Sequence, residues 1–175
     1  GDFVSLSGPS GSGKSTLLNV LGALDAPTQG TVEVLGRDVG ALSAGQRARL
    51  RLHHLGFVFQ AYNLLPVLTA RENVEFVLQL RGVPPNERRE RALATLAALG
   101  LDGLAERRPA SLSGGQQQRV AVARAVVAEP ALLLADEPSA NLDSRTTEEL
   151  LELLARLNAE RGMTIVTATH DPRVM

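Results

Sequence analysis

Residues Gly8–Ser15 read GPSGSGKS, the most informative local pattern in the chain. It fits the pattern G-x-x-x-x-G-K-[ST] in full, with a strand-like apolar segment before it and a leucine-containing, helix-like segment after it. Glycine lets the backbone curl so that successive N–H groups surround a phosphate, and the positive end of the following helix points to the same place. The pattern therefore predicts a phosphate-binding loop in preference to a flexible glycine-serine turn.

The side chains of this loop have separate expected roles. Lys14 is the only lysine in the 175 residues, and its ammonium can reach the β- and γ-phosphate oxygens of a nucleotide. Ser15 can offer its hydroxyl to Mg²⁺. The expected nucleotide-binding residues of the loop are Gly8, Pro9, Ser10, Gly11, Ser12, Gly13, Lys14, Ser15 and Thr16.

A second pattern, LLLADE at 132–137, is an apolar run that ends in two acidic residues. Ligands of open α/β sheets bind beyond the carboxyl ends of the strands, where Asp136 can hold Mg²⁺ and Glu137 can act as a general base on the attacking water. An ordinary acidic strand end before the turn at Pro138 is the alternative. The phosphate-binding loop elsewhere in the chain favours the catalytic interpretation.

A further anion-binding pattern lies well downstream, where 111–119 read SLSGGQQQR. Ser113 is placed to cap a helix, and its hydroxyl together with the N–H groups of Gly114 and Gly115 forms an anion site. One γ-phosphate does not need two such sites in the same chain. We therefore expect this site to bind the nucleotide of a second copy, arranged head to tail. The alternative is a plain helix cap with glycines for a tight turn.

Composition excludes several classes of function. The net charge is −1 and aromatic residues make up 3%, so neither electrostatic capture nor base stacking on nucleic acid is indicated. The absence of cysteine excludes disulfides and thiolate metal sites. The longest purely apolar run, Ala131–Ala135, is far too short to cross a bilayer.

Strand-like and helix-like patterns alternate along the chain, which predicts an α/β fold with a mostly parallel sheet. Strands are predicted at 2–6, 31–35, 56–60, 131–135 and 163–169, and helices at 14–24, 69–80, 86–99, 116–128 and 144–161. The middle, 61–128, is almost entirely helical. We expect it to form a subdomain inserted into a core made of 1–60 and 129–175.

Taken together, the motifs resemble the ATP-binding subunit of ABC transporters. GPSGSGKST, LSGGQ, LLLADEP, SANLD and TATHD occur in that family's order and spacing along the whole chain. The segments DFVSLSGPSGSGKSTLLNVLGALDAPTQGTV and FQAYNLLPVLTARENV look most like the lipoprotein-releasing and macrolide-exporter type, with cell-division ATPases close by. The resemblance implies a P-loop NTPase (RecA-like) fold that binds ATP and Mg²⁺, hydrolyses ATP, and forms a homodimer that sandwiches two ATP molecules.

The resemblance also assigns roles to individual residues. Gln60 matches the Q-loop glutamine that contacts Mg²⁺ and the attacking water, Asp143 matches the D-loop at the dimer interface, and His170 matches the switch histidine. Alone, they would suggest a polar strand end, a helix cap and a structural histidine. The implied catalytic residues are Glu137, His170, Lys14 and Gln60. The implied signature-side ligands of ATP are Ser113, Gly114, Gly115, Gln116 and Asp143, and the implied metal ligands are Ser15, Gln60 and Asp136.

A partner and a location are implied as well. The resemblance predicts a separate integral membrane permease that docks on the helical part, with 61–69 lining the docking groove, at the cytoplasmic face of the inner (plasma) membrane. The family's adenine-stacking aromatic residue and its later segments fall outside the chain, so we expect a fold truncated at both ends. A non-transporting ABC ATPase of cell division or signalling is the alternative. A DNA-repair ATPase would carry a long coiled-coil insertion between Gln60 and Ser113, and none is present.

Overall fold

The computed structural model describes residues 1–169, in which strands and helices alternate. In chain order the elements are β1 (Phe3–Ser7), α1 (Lys14–Leu21), β2 (Glu33–Val34), β3 (Arg37–Asp38), α2 (Ala44–His54), β4 (Leu55–Val58), α3 (Ala70–Leu80), α4 (Pro85–Ala98), α5 (Gly114–Val126), β5 (Leu132–Asp136), α6 (Ser144–Arg161) and β6 (Thr164–Thr169). Two short 3-10 turns lie at Val39–Ala41 and Pro109–Ser111.

Four of the strands form one parallel sheet in the order β1-β6-β5-β4. The predicted α/β fold with a mostly parallel sheet is therefore confirmed. Because the strands run in the same direction, their carboxyl ends lie along one edge of the sheet. That edge carries the phosphate-binding loop after β1, Asp136 at the end of β5, and Gln60 shortly after β4.

The sheet is covered by apolar packing on both faces, as the continuous apolar sequence of β5 predicts. Leu133 belongs to a large cluster shared with α3, α4, α5 and α6. Leu132 and Leu134 belong to a second cluster with Leu18 of α1 and Leu50 of α2. Alternate residues of one strand thus join two separate cores, and the functional edge is supported from both sides.

Two elements differ from the predictions. The predicted strand 31–35 contributes only Glu33–Val34, which pairs antiparallel with Arg37–Asp38 outside the parallel sheet. Leu35 and Gly36 turn the chain there with positive φ values of 51° and 73°. Helix α2 was missed because it is rich in arginine and only Leu50 among its residues is buried. The capping box of Ser43 and Gln46 was its sequence signal.

Helix boundaries also shift. Helix α1 ends at Leu21 instead of continuing to Leu24, since Ala23 adopts a positive φ of 53°. Helix α5 begins at Gly114, two residues before the predicted start at Gln116. Between β4 and β5 the structure contains helices and loops, so the proposed division at 61–128 falls in a stretch without strands. No helix within residues 1–169 has the length and apolar character needed to cross a bilayer.

The second half of the loop that leads from β4 to α3 is held by the buried side chain of Asn73 in α3. Its Nδ2 donates to the carbonyls of Leu65, Leu68 and Thr69, at 3.1, 3.2 and 2.9 Å. Its Oδ1 accepts from the N–H of Leu65 at 2.8 Å. The predicted Thr69–Glu72 capping box begins the same helix. This loop therefore has a fixed shape before any partner binds.

Replacing Asn73 with alanine is expected to lower the free energy of unfolding by about 2–3 kcal/mol, because buried backbone groups lose their partners. Urea denaturation monitored by circular dichroism measures the change. The matched control is Gln79→Ala, at an exposed position of the same helix. Equal losses in the two variants would show that helix propensity, and not the buried hydrogen bonds, accounts for the effect.

Candidate nucleotide site

The phosphate-binding loop occupies the gap between β1 and α1. Gly11 and Gly13 have positive φ values of 79° and 91°, and an added Cβ at either position would meet no atom within 4 Å. These glycines are therefore required by backbone conformation rather than by packing. Helix α1 begins at Lys14, directly after the loop, so its first N–H groups and its positive dipole end face the loop.

Lys14 folds back over the loop. Its Nζ donates to the carbonyls of Gly8 and Pro9 at 2.8 and 3.1 Å, and it lies 3.9 Å from Oε1 of Glu137. Lys14 and Glu137 border a cavity of about 640 Å³, which is lined by 9–16, Gln60 and Glu137. A cavity of this size, with a Gly-rich wall and one ammonium group, fits the phosphates of a nucleotide.

A hydroxyl and a carboxylate meet at the same edge. Ser15 Oγ donates to Asp136 Oδ1 at 3.1 Å, although the two residues are 121 positions apart. Oxygen ligands of these kinds suit Mg²⁺, which commonly takes one or two protein ligands and completes its shell with phosphates and water. In the described part of the chain, no group of three His, Cys, Asp or Glu side chains is placed to hold a metal. The donor set thus fits a metal that binds together with a nucleotide.

Glu137 stands immediately beyond β5 in an unusual backbone conformation. Its φ is +46°, and its N–H donates to the carbonyl of Ala168 at 2.8 Å. A non-glycine residue at positive φ is strained by about 1 kcal/mol or more, and it persists only where its surroundings fix it. The bond to β6 supplies such a constraint. Glu137 is thereby held at the wall of the phosphate cavity, within reach of a bound phosphate.

The second anion-binding pattern also folds as expected. Ser113 caps α5 with a capping box: its Oγ accepts from the N–H of Gln116 at 3.3 Å, and Gln116 Oε1 accepts from the N–H of Ser113 at 2.9 Å. Helix capping and anion binding are compatible, because the Ser113 hydroxyl hydrogen can still be donated. The N–H groups of Gly114 and Gly115, in the first turn, have no carbonyl acceptor within the helix.

This second site has its own cavity of about 390 Å³. Its wall includes 113–116 and 141–143, and it shares no lining residue with the phosphate cavity. A Cβ on Gly115 would lie 2.7 Å from Thr146 Cγ2, so glycine permits a close approach of α5 to α6. Asp143 caps α6 by accepting from the N–H of Thr146 at 3.0 Å and from its hydroxyl at 2.7 Å. These hydrogen bonds hold the pKa of Asp143 below its ordinary value.

Two candidate residues remain, Gln60 and His170. Gln60 lies two positions beyond β4, not at its end, and lines the phosphate cavity. Its carbonyl accepts a hydrogen bond from Asn141 Nδ2 at 2.9 Å, a contact that the sequence did not indicate. His170 lies outside the described residues. The structure thus brings Gln60 and Glu137 to the cavity beside the loop and Asp136 to Ser15 of the loop, whereas Ser113–Gln116 and Asp143 line a separate cavity.

A parallel sheet with a phosphate-binding loop, an acidic strand end and a second glycine-rich helix start defines an ATPase of the ATP-binding cassette type. Residues 1–140 match the model of the family described as ABC transporter. The chain belongs to the ABC transporter family, and the resemblance found in the motifs is confirmed.

Known relatives agree with this assignment. The chain is 54% identical to a macrolide export ATP-binding/permease protein MacB of Syntrophobacter fumaroxidans, over 99% of this chain and 25% of that protein. It is 52% identical to an uncharacterized ABC transporter ATP-binding protein of Thermotoga maritima, over 98% of this chain and 73% of that protein. It therefore spans about a quarter of the length of that macrolide exporter.

Solved structures show the same fold. One is a dimeric ATP-binding cassette in a post-hydrolysis state, bound to ADP and Pi. It superposes with a TM-score of 0.91 at 47% sequence identity, over 99% of this chain and 76% of that one. A second dimeric structure of a bacterial ABC transporter cassette matches equally well.

Proposed function

We propose that this chain is the ATP-hydrolysing part of an efflux or lipoprotein-release transporter, and that it acts as a head-to-tail dimer around two Mg-ATP. The observation that carries the proposal is that two glycine-flanked helix starts of one chain border separate cavities. The first lies beside the candidate catalytic groups. The second, formed by Ser113, Gly114, Gly115 and Gln116 with Asp143 nearby, is suited to the γ-phosphate held by another copy. The dimeric relatives support this arrangement.

The residues of the first cavity have separate roles in binding and hydrolysing ATP. Lys14 exchanges its neutral carbonyl acceptors for phosphate oxygens, which form stronger, charge-assisted hydrogen bonds. Ser15, Asp136 and Gln60 would hold Mg²⁺, which when bound neutralises charge on the β- and γ-phosphates. Glu137 accepts a proton from the attacking water, and His170 contacts the γ-phosphate. Most of the catalytic effect then comes from positioning and charge neutralisation.

An apolar groove of about 450 Å³ is suited to a permease, and it is bordered by α2, β4 and α3. Leu80 and Phe76 of α3 are 58% and 38% exposed there. Asn63 of the proposed docking segment 61–69 lines the groove, and so do the cations Arg51 and Arg124. An apolar floor with two cations matches a short amphipathic helix that carries an acidic residue. We propose that a membrane permease inserts such a helix here, between the core and the helical part 61–128.

The test of this proposal is co-purification from membranes. The full-length tagged protein is extracted in mild detergent, and bound proteins are identified by mass spectrometry. Leu80→Arg is expected to lose the permease while retaining ATP binding, because it places a charge on an apolar interface. The matched control is Leu93→Arg, since Leu93 is 38% exposed on α4 and does not line this groove.

The identity of the captured protein distinguishes the candidate functions. A permease with a large extracytoplasmic domain supports the transporter and a peripheral location at the cytoplasmic face of the inner membrane. A membrane protein of the division machinery supports the non-transporting alternative. Recovery of the protein from the soluble fraction alone, without a membrane partner, would overturn both while leaving the ATPase intact.

A further inference from the structure

Gln118 connects the two candidate sites within one chain. It lies on α5, five residues after Ser113, and its side chain is fully buried. Its Nε2 donates to the carbonyl of Pro138 at 2.7 Å, and Pro138 is the residue after Glu137. One side chain therefore joins α5, which is capped by Ser113, to the peptide that follows Glu137, the candidate general base.

The orientation of the Gln118 amide is fixed by its partner. The Pro138 oxygen can only accept a hydrogen bond, so the NH₂ group must face it. The other amide atom, Oε1, is buried and has no hydrogen-bond partner among the described residues. A residue needed only for packing would be apolar at this position, since a buried unpaired oxygen is destabilising. The donated hydrogen bond is thus the feature that distinguishes glutamine from methionine here.

The elements at both ends of this contact are suited to transmit displacement. Helix α5 buries seven of its residues and packs on α3, α4 and β4, so its start and Gln118 move as one body. Pro138 and Ser139 are buried, and Glu137 is held at positive φ. Asn141 of the same loop donates to the Gln60 carbonyl, which ties the loop to the other wall of the phosphate cavity.

We propose that Gln118 is a positioning residue that makes the placement of Glu137 in one ATP site depend on closure of the other site. The inference rests on the proposed dimer. In that dimer, Ser113 contacts the ATP bound to the partner, whereas Glu137 of the same chain acts on its own ATP. A shift of α5 on contact with the partner's γ-phosphate is passed through Gln118 to Pro138 and Glu137. The two sites then hydrolyse ATP cooperatively.

The first experiment compares Gln118→Met with wild type in the full-length protein. Methionine keeps the volume but cannot donate to Pro138. We expect the Hill coefficient for ATP hydrolysis to be above 1 in the wild type and about 1 in Gln118→Met, and we expect kcat to fall by about fivefold to tenfold in the variant. Nucleotide affinity of the monomer and the melting temperature are expected to stay unchanged. Gln117→Met is the matched control, because Gln117 Nε2 donates to the Leu112 carbonyl and not to the Glu137 loop.

The second experiment uses hydrogen exchange and does not depend on turnover. In a Glu137→Gln background, ATP-driven dimer closure is expected to protect backbone amides of 136–142 when Gln118 is present. That protection is expected to be lost in Gln118→Met, or in Gln118→Leu if the methionine variant fails to fold. Unchanged protection and an unchanged Hill coefficient would overturn the proposal. A lower kcat with the wild-type Hill coefficient would also overturn it, because it would indicate local support only.

If the proposed dimer does not form, the experiments give a different result. If the Glu137→Gln protein with wild-type Gln118 binds ATP but stays monomeric, the proposed ATP sandwich is wrong, and the role of Gln118 falls with it. If this protein dimerises but the wild type shows a Hill coefficient of 1, only the coupling role of Gln118 is wrong.

Discussion

Glu137→Gln is expected to reduce ATP turnover by about a hundredfold to ten-thousandfold, the usual contribution of a general base, while ATP binding is retained. Glutamine has the size of glutamate but cannot accept the proton of the attacking water. Lys14, 3.9 Å from the Glu137 carboxylate, and the loop remain in place to bind phosphate. In the proposed dimer, closure requires ATP, so ATP that is bound but not hydrolysed is expected to trap the closed dimer. Phosphate release and size-exclusion chromatography with ATP measure the two effects.

Two control variants isolate the role of Glu137 in this result. Glu152→Gln makes the same chemical change at an exposed position of α6 and is expected to leave turnover unaltered. Adding Ser113→Asp to Glu137→Gln is expected to prevent dimer formation while the monomer still binds ATP. Aspartate is as good a helix cap as serine, but its charge repels the γ-phosphate. Loss of ATP binding in Glu137→Gln alone would contradict the assigned role of this carboxylate.

The elements that sequence predicts well are those with strong local signals at both ends. Helix α6 was predicted at 144–161 and is found at Ser144–Arg161, because Asp143 caps its start and Gly162, at a φ of 63°, ends it. The apolar run of β5 was predicted at 131–135 and is found at Leu132–Asp136, a shift of one residue at each end. Helix α2 was missed since most of its surface faces solvent, which leaves little apolar periodicity to detect.

The candidate site likewise has features that the sequence predicts and features that it does not. The motif spacing predicted that the loop, Asp136 and Glu137 meet at one sheet edge, because parallel strands and their connections leave few other arrangements. It could not predict side chains that donate to distant carbonyls, such as Gln118 to Pro138 or Asn141 to Gln60. Arg124 is a third case, since it donates to the carbonyls of Tyr62 and Asn63 after Gln60. Such contacts depend on packing and leave no spacing pattern in the sequence.

Lys14→Ala is expected to weaken ATP binding by about tenfold to a hundredfold, the effect of losing one or two hydrogen bonds to charged oxygens. Among residues 1–169, Lys14 is the only basic residue that lines the phosphate cavity, so none of the other described wall residues can replace its charge. The loss is expected to be larger for ATP than for ADP, since the ammonium reaches the γ-phosphate as well as the β-phosphate. Isothermal titration with the two Mg-nucleotides measures both affinities.

Arg145→Ala is the matched control for Lys14→Ala, because it removes the same charge from a side chain that is 89% exposed on α6. It is expected to bind ATP like the wild type. Lys14→Arg keeps the cation but enlarges it in a loop where Nζ already contacts two carbonyls, so partial binding is expected. If Lys14→Ala bound both nucleotides with wild-type affinity, backbone N–H groups and the α1 helix start would be sufficient to hold the phosphates. Lys14 would then serve the loop's own structure through Gly8 and Pro9, and not the nucleotide.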